Sequence, residues 1–290
     1  MLKFRIPSAI LMLGALTASL YCLPSLAALG LLLAVSSLAI WEFYRMLDQA
    51  QIPVFRFYGM FCGAALITAT FFTIGPTDQA RATAYQWESA VLFFMVVAVF
   101  IRQFPQKHND QPLATIACTH FGVLYVPLLF NYMTRILFAW DDVTLSDPIG
   151  PTGRLMFIYT IVLGKTPDIG AYFAGNRFGR HALFPRISPA KTWEGLGGGV
   201  LTAVACSLLF RKIVGSEIGA LHLSYLDAAV LGLVLPLISA IGDLFESLLK
   251  RAAGVKDSGV LIPGMGGVLD VLDSLLFVAP ALYVYAVFFM

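Results

Sequence analysis

Apolar residues run along this chain in long stretches separated by short polar segments. Nine such stretches stand out, at 6–23, 25–44, 57–74, 88–101, 113–138, 154–174, 195–214, 226–248 and 274–290. A helix needs about 20 predominantly apolar residues to cross roughly 30 Å of hydrocarbon. A segment in lipid must satisfy its own backbone hydrogen bonds, so each stretch is predicted to be helical. The pattern predicts an all-α, polytopic integral-membrane helical bundle of about nine transmembrane helices. An eight-span version, with 6–44 arranged differently, is the second choice. Pro24, after Cys22 and Leu23, marks a tight turn between the first two spans, because proline removes a backbone donor. Lys3 and Arg5 precede the first stretch much as they would in a cleaved leader, but further spans follow at once. The first stretch is therefore read as a retained helix.

Composition supports the membrane assignment. Hydrophobic residues make up 59% of the 290 and charged residues 12%, with a mean hydropathy of +0.81. Soluble domains carry roughly 25% charged residues. A net charge of +2 is too small to indicate a nucleic-acid partner. Cys22, Cys62, Cys118 and Cys206 stand apart in apolar sequence, with no spacing that suggests a zinc site or a disulfide framework. With the N-terminus inside, one side collects Lys3, Arg5, Arg45, Arg56, Arg102, Lys107, Arg177, Arg180, Arg186, Lys191, Lys250, Arg251 and Lys256. The other side holds Arg81, Arg135, Arg154, Arg211 and Lys212, together with the acidic Asp141, Asp142 and Asp147. That asymmetry places the basic loops in the cytoplasm.

The charges divide the chain in two. Residues 1–150 read as N-terminal transmembrane helices, a scaffold with candidate oligomer contacts. Residues 151–290 read as the catalytic region, because nine of the 17 acidic residues fall between 160 and 274, several at membrane depth. A carboxylate in lipid costs several kcal/mol and marks a functional site by default.

In the stretch from Ile241 to Arg251, Asp243, Glu246, Ser247 and Lys250 fall on one helical face. A polar loop with Lys256, Asp257 and Ser258 follows, then a Gly-rich turn with Gly264, Gly266 and Gly267. Asp270 and Asp273 come next, spaced to share a helix face. Hard carboxylate oxygens of this kind suit Mg²⁺, which takes one or two carboxylates plus substrate phosphates. The Gly-rich turn lets backbone N–H groups approach phosphate oxygens, while Lys250, Arg251 and Lys256 would neutralise their charge. These residues indicate a membrane-embedded phosphate-transfer site, with a carboxylate-lined ion pathway as the alternative.

A second segment carries Asp168, three residues after Lys165, which is a natural partner for it. The following loop offers Ser188, Lys191 and Thr192. Ser188-Pro189 also has the form of an ordinary helix start. His108, His120, His181 and His222 lie outside these segments and read as loop or packing residues.

The stretch from Asp243 to Asp273 closely resembles the signature of the phosphatidate cytidylyltransferases, or CDP-diacylglycerol synthases. Ser188 to Gly195 and Asp168 to Tyr172 match two further motifs of that family, and the clear resemblance covers roughly residues 155–280. The resemblance implies transfer of the cytidylyl group of CTP to phosphatidic acid, giving CDP-diacylglycerol and pyrophosphate. It also implies Mg²⁺, with a second, monovalent cation such as K⁺ as an option, and often a homodimer. The compact length and short loops favour a bacterial inner membrane, and the basic residues place the site on its cytoplasmic side. Carried over by position, Asp243 and Asp270 would be metal ligands, with Glu246, Asp273 and Asp168 supporting metals or nucleotide. Lys250, Lys256, Ser188, Lys191 and Thr192 would contact phosphates, and Ser247, Arg251, Asp257, Gly266 and Gly267 complete the substrate-binding set.

Two positions depart from the family pattern. Met265 stands where histidine is usual and Val271 where arginine is usual, which suggests a divergent member with an altered acceptor or rate. Lys165 replaces a usual aromatic residue. Other readings remain open at this point: a CTP-dependent enzyme with a different lipid acceptor, a CTP-dependent lipid kinase, or an ion-coupled transporter.

Overall fold

The computed structural model describes residues 21, 24–107, 109–262 and 266–290. Eight continuous helical runs lie among them. They are α1 (Ser25–Gln49), α2 (Arg56–Thr73), α3 (Asp78–Gln103), α4 (Pro112–Val123) continuing through a π turn at Leu124–Leu128 into α5 (Leu129–Phe138), α6 (Pro151–Phe178), α7 (Trp193–Val214), α8 (Tyr225–Ala252), and the short α9 (Val268–Leu272) leading into α10 (Leu275–Phe289). Six of these runs are long and apolar enough to cross a membrane: α1, α3, α4–α5, α7, α8 and α9–α10. The chain is a multi-pass membrane protein, but the expected nine spans are not reached among the described residues. The predicted span 57–74 is α2, which opens on Arg56 and carries Gly and Thr among its apolar residues. The predicted span 154–174 is α6, which holds Arg154, Lys165, Asp168 and Arg177. The predicted span 6–23 lies almost wholly outside the described residues.

Some boundaries move for local reasons. α3 begins ten residues before the expected 88 because Thr77 caps it, its hydroxyl accepting from the Ala80 N–H at 3.2 Å, with Asp78 in the first turn. The loop read as a helix start at Ser188-Pro189 is instead a strand. β2 (Ser188–Thr192) pairs antiparallel with β1 (Ala182–Phe184), Ala182 opposite Thr192. A second two-stranded hairpin, β3 (Glu217–Ile218) and β4 (Leu221–His222), sits between α7 and α8.

The chain divides into two compact units, Met1–Gly150 with Ala252–Leu272, and Pro151–Arg251 with Asp273–Met290. The segment Ala252–Leu272, read from sequence as part of the catalytic half, therefore groups with the N-terminal helices.

The first unit is built around aromatic packing of Phe43, Tyr44, Phe121 and Tyr125. The Tyr44 hydroxyl donates to the Thr119 carbonyl at 2.7 Å. Beside this core is a charged network. Arg135 and Glu88 form a buried ion pair at 2.6 Å. Glu88 Oε1 also accepts from Thr70 at 2.5 Å and Asn131 at 2.7 Å.

The second unit rests on the close crossing of α6 and α7. A Cβ built at Gly199 would lie 2.7 Å from the Pro167 carbonyl oxygen, and one at Gly195 would lie 3.1 Å from that of Ala171. Between helices in lipid there is no hydrophobic drive, so small residues that let backbones approach, and hydrogen bonds averaging about 0.6 kcal/mol, carry the association. Tyr159 and Ser207 supply one such bond at 2.6 Å, and the Ser207 hydroxyl continues to the Ala228 carbonyl at 2.6 Å.

Candidate active site

In the second unit a cavity of about 220 Å³ opens between α6, β2, α7 and α8. Asp168, Lys191, Thr192 and Asp243 put their polar groups on it, against apolar walls that include Tyr172, Leu183 and Leu196. Pro167 and Pro236 border it as well, each interrupting the hydrogen-bond ladder of its own helix.

Each polar group has a sequence-local reason for its place. The β1–β2 hairpin delivers Lys191, and the chain turns into α7 one residue after Thr192. The Thr192 hydroxyl accepts from the Gly195 N–H at 3.1 Å and so caps that helix. Glu194 lies in the same first turn, where it complements the helix dipole and pairs with His181 at 2.6 Å. Lys191 forms an ion pair with Asp243 on α8, both side chains 26% exposed. Asp168 feels the charges of Lys165, Asp273, Asp243 and Lys191 together. These five side chains make one electrostatic cluster of alternating sign.

The expected acidic face of α8 forms, and its members divide. Asp243 reaches the cavity, and Ser247 donates to it at 3.4 Å. Glu246 is fully buried and pairs with Lys250 at 2.9 Å. Neither Glu246 nor Lys250 lines the cavity, and Ser188, Ser247 and Arg251 also stand outside its lining.

Lys165 corrects a sequence reading. Its ammonium donates to Asp273 at 3.2 Å and to the Ser274 hydroxyl at 2.8 Å, so its ion-pair partner is Asp273 instead of the neighbouring Asp168. Asp270 lies in α9, and Asp273 in the two-residue turn that joins α9 to α10.

The remaining signature residues belong to the first unit. Gly254, at φ +72°, follows the end of α8, and Lys256 and Asp257 are exposed in the loop after it. Ile262 and Gly266 exchange backbone hydrogen bonds at 2.8 and 3.1 Å. Asp270 then gathers the loop. Its Oδ2 accepts from the Ser258 N–H at 3.0 Å, the Ser258 hydroxyl at 2.8 Å and the Gly267 N–H at 2.7 Å. Gly266 takes φ +98°, and a Cβ there would come within 2.5 Å of the same Asp270 oxygen. Met265 lies outside the described residues, and Val271 sits within α9.

Sequence reasoning missed two contributors. Ser258 reads in the sequence as a plain loop residue, yet its N–H and hydroxyl both donate to Asp270 Oδ2. Glu42 was passed over in the N-terminal half, although it is 1% exposed and accepts from the Leu269 N–H at 2.9 Å. The signal was present: a lone carboxylate inside an apolar stretch.

Among the described residues, no group of three or more His, Cys, Asp and Glu side chains converges as a metal cage. His120 bonds the Ile116 carbonyl at 2.8 Å and His222 pairs with Glu217 at 2.9 Å, so both have local roles. Cys62, Cys118 and Cys206 are free thiols. A larger groove of about 670 Å³ in the first unit is lined by Asp48, Gln51, Phe55, Arg102, Asn109 and Thr115 among others. It contains none of the signature residues, so the smaller cavity is the candidate site.

The chain is similar in sequence to proteins of known name. The phosphatidate cytidylyltransferase of Haemophilus influenzae is 31% identical over 295 residues, covering 97% of this chain and 96% of that protein. That of Pseudomonas aeruginosa is 31% identical over 275 residues, covering 95% and 93%. The Brucella suis enzyme of the same name is 43% identical over 144 residues, half of each chain. A sequence profile of the cytidylyltransferase family matches residues 3–289, and the chain belongs to that family.

Proposed function

We propose that this protein is a phosphatidate cytidylyltransferase that joins CTP and phosphatidic acid at the Asp168–Lys191–Asp243 cavity. The observation that carries this reading is the Lys191–Asp243 ion pair on the cavity wall, within a chain matched to the family from end to end. The pair brings a cation for phosphate and a carboxylate for a metal to the same point.

In the reaction, a phosphate oxygen of the lipid forms a bond to the α-phosphorus of CTP. The bond from that phosphorus to the bridging oxygen breaks, and the electron pair leaves on pyrophosphate. The attacking oxygen is already anionic at neutral pH, so no strong general base is needed. A site of carboxylates and lysines without histidine suits such a step, in which positioning and charge do most of the work.

A hard divalent cation fits the donors present. Mg²⁺ usually takes only one or two carboxylates and completes its shell with substrate phosphates and water, so a three-carboxylate cage is not required. Asp243 is the ligand we assign, since it lines the cavity while Glu246 and Asp273 do not. When bound, the metal supplies positive charge to the phosphates. Lys191, once Asp243 is engaged by a metal, presents its ammonium to a phosphate oxygen, and the Thr192 hydroxyl borders the same cavity.

The test is direct. Purified protein receives Mg²⁺, labelled CTP and phosphatidic acid, and CDP-lipid and pyrophosphate are measured. Equal amounts of both products are expected. Release of CDP would identify a lipid kinase, and failure to form any CDP-lipid across several lipid conditions rejects the assignment.

A further inference from the structure

The carboxylate of Glu42 sits in the last third of α1, between Trp41 and Phe43. Nothing in its own helix explains it. Its Oε2 accepts from the Leu269 N–H at 2.9 Å, across 227 residues of chain. Its Oε1 is buried and has no hydrogen-bond partner among the described residues.

The same carboxylate fills the space against two glycines of the signature loop. A Cβ on Gly259 would run into Glu42 Oε1, and one on Gly267 would run into Glu42 Oε2. The Cβ on Gly267 would also lie 2.6 Å from the Ser258 hydroxyl oxygen. Ser258 and Gly267 are the residues that donate to Asp270. One buried carboxylate thus braces the loop at Gly259, Gly267 and Leu269, while a second, Asp270, ties Ser258 to Gly267.

Packing alone would not select an acid here. An apolar side chain would fill the volume without burying charge in a lipid-embedded helix. What a carboxylate adds is an acceptor for the Leu269 amide that is stronger than a neutral one. It also fits between two Cα atoms that carry no side chain.

We propose that Glu42 is a positioning residue for cytidylyl transfer, holding Gly259, Gly267 and Leu269, and through them Asp270, in one arrangement. The inference rests on the transferase reading above, and it concerns a residue that never needs to touch substrate.

The experiment compares the full-length purified protein with E42A, E42Q and G267A. Two measurements are made: kcat and KM for CTP, and amide hydrogen exchange across residues 252–272 without substrate. E42A is expected to lose kcat by about 100-fold, the scale of a small misplacement of a catalytic element. Its loop amides should exchange faster, while those of α6 and α8 match the wild type. E42Q keeps an oxygen for the Leu269 amide and should recover to within about fivefold, the difference between a charged and a neutral acceptor. The E42A and G267A losses should not multiply in the double variant, because both disturb the same contact.

Wild-type kcat in E42A, unchanged loop exchange, or fully multiplicative losses would each overturn the proposal. If E42A fails to accumulate in the membrane, G267A and E42Q carry the same comparison. If the wild type makes no CDP-lipid, the transferase reading falls, and the exchange data alone decide whether Glu42 braces the loop.

Discussion

Each unit of the molecule contains an ion pair away from bulk solvent, and the two pairs differ in how completely they are enclosed. In the first unit Arg135 and Glu88 have side chains only 1% and 10% exposed. Thr70, Asn131 and the Arg135 Nε all donate to one Glu88 oxygen, and the guanidinium also lies 3.8 Å over the Tyr85 ring. In the second unit Lys191 and Asp243 are each 26% exposed and line a cavity. A pair enclosed on all sides has no path by which to exchange its partner for a ligand and acts as a fastener. A pair with one open side can trade its internal partner for a ligand. For intramembrane charges, access to a cavity is what leaves a pair able to meet a ligand.

The largest effect expected from that contrast is on turnover. Asp243→Asn should lower kcat by about 10³-fold, the upper range for removing one preorganised electrostatic group. Thermal unfolding in detergent should hardly change, since the Lys191 ammonium it leaves has access to the cavity. Glu88→Ala should do the reverse. Removing one partner of a buried pair costs about 3–5 kcal/mol, so Tm should fall sharply while activity per folded molecule persists. A stability loss in Asp243→Asn as large as that in Glu88→Ala would erase the distinction.

Next in size is the helix crossing that shapes the cavity. Gly199→Ala places a methyl against the Pro167 carbonyl. Overpacking of this kind costs about 1–3 kcal/mol, and the separation of α6 and α7 should raise KM for CTP. Ala at Gly197, which has nothing within 4 Å of its Cβ position, is the matched control and should leave both unchanged.

Much of this was legible in the residues. The helical runs follow from hydropathy, and the one-face arrangement of Asp243, Glu246, Ser247 and Lys250 follows from helical period. What period cannot supply is which member of a face meets a cavity. Glu246 and Asp243 are three residues apart, yet one is sealed against Lys250 and the other is open. Lys165 shows the same limit: Asp168 was the near candidate in sequence, but the turn at Asp273 and Ser274 is what its ammonium reaches. The β1–β2 hairpin was hidden because Ser-Pro starts helices as readily as it enters an edge strand. Glu42 was hidden by its neighbourhood, since a single acid barely alters the hydropathy of α1. Its partner at Leu269 is too distant in sequence for local reasoning to find.

The smallest effect should come from Thr192, where a structural and a functional role meet in one side chain. Its hydroxyl caps α7 through the Gly195 N–H and borders the cavity. Thr192→Ala removes the cap, at a cost of about 1 kcal/mol, and should lower Tm modestly. Thr192→Ser keeps the oxygen and should restore the stability whatever it does to catalysis. The two variants therefore separate the roles. If Ser recovers both Tm and KM for CTP, the oxygen serves the helix and the substrate alike. If Ser recovers Tm alone, the methyl group shapes the cavity. If Ser recovers neither, the cap seen at Gly195 is not what holds this end of α7, and the open side of the Lys191–Asp243 pair must be kept in place by the hairpin instead.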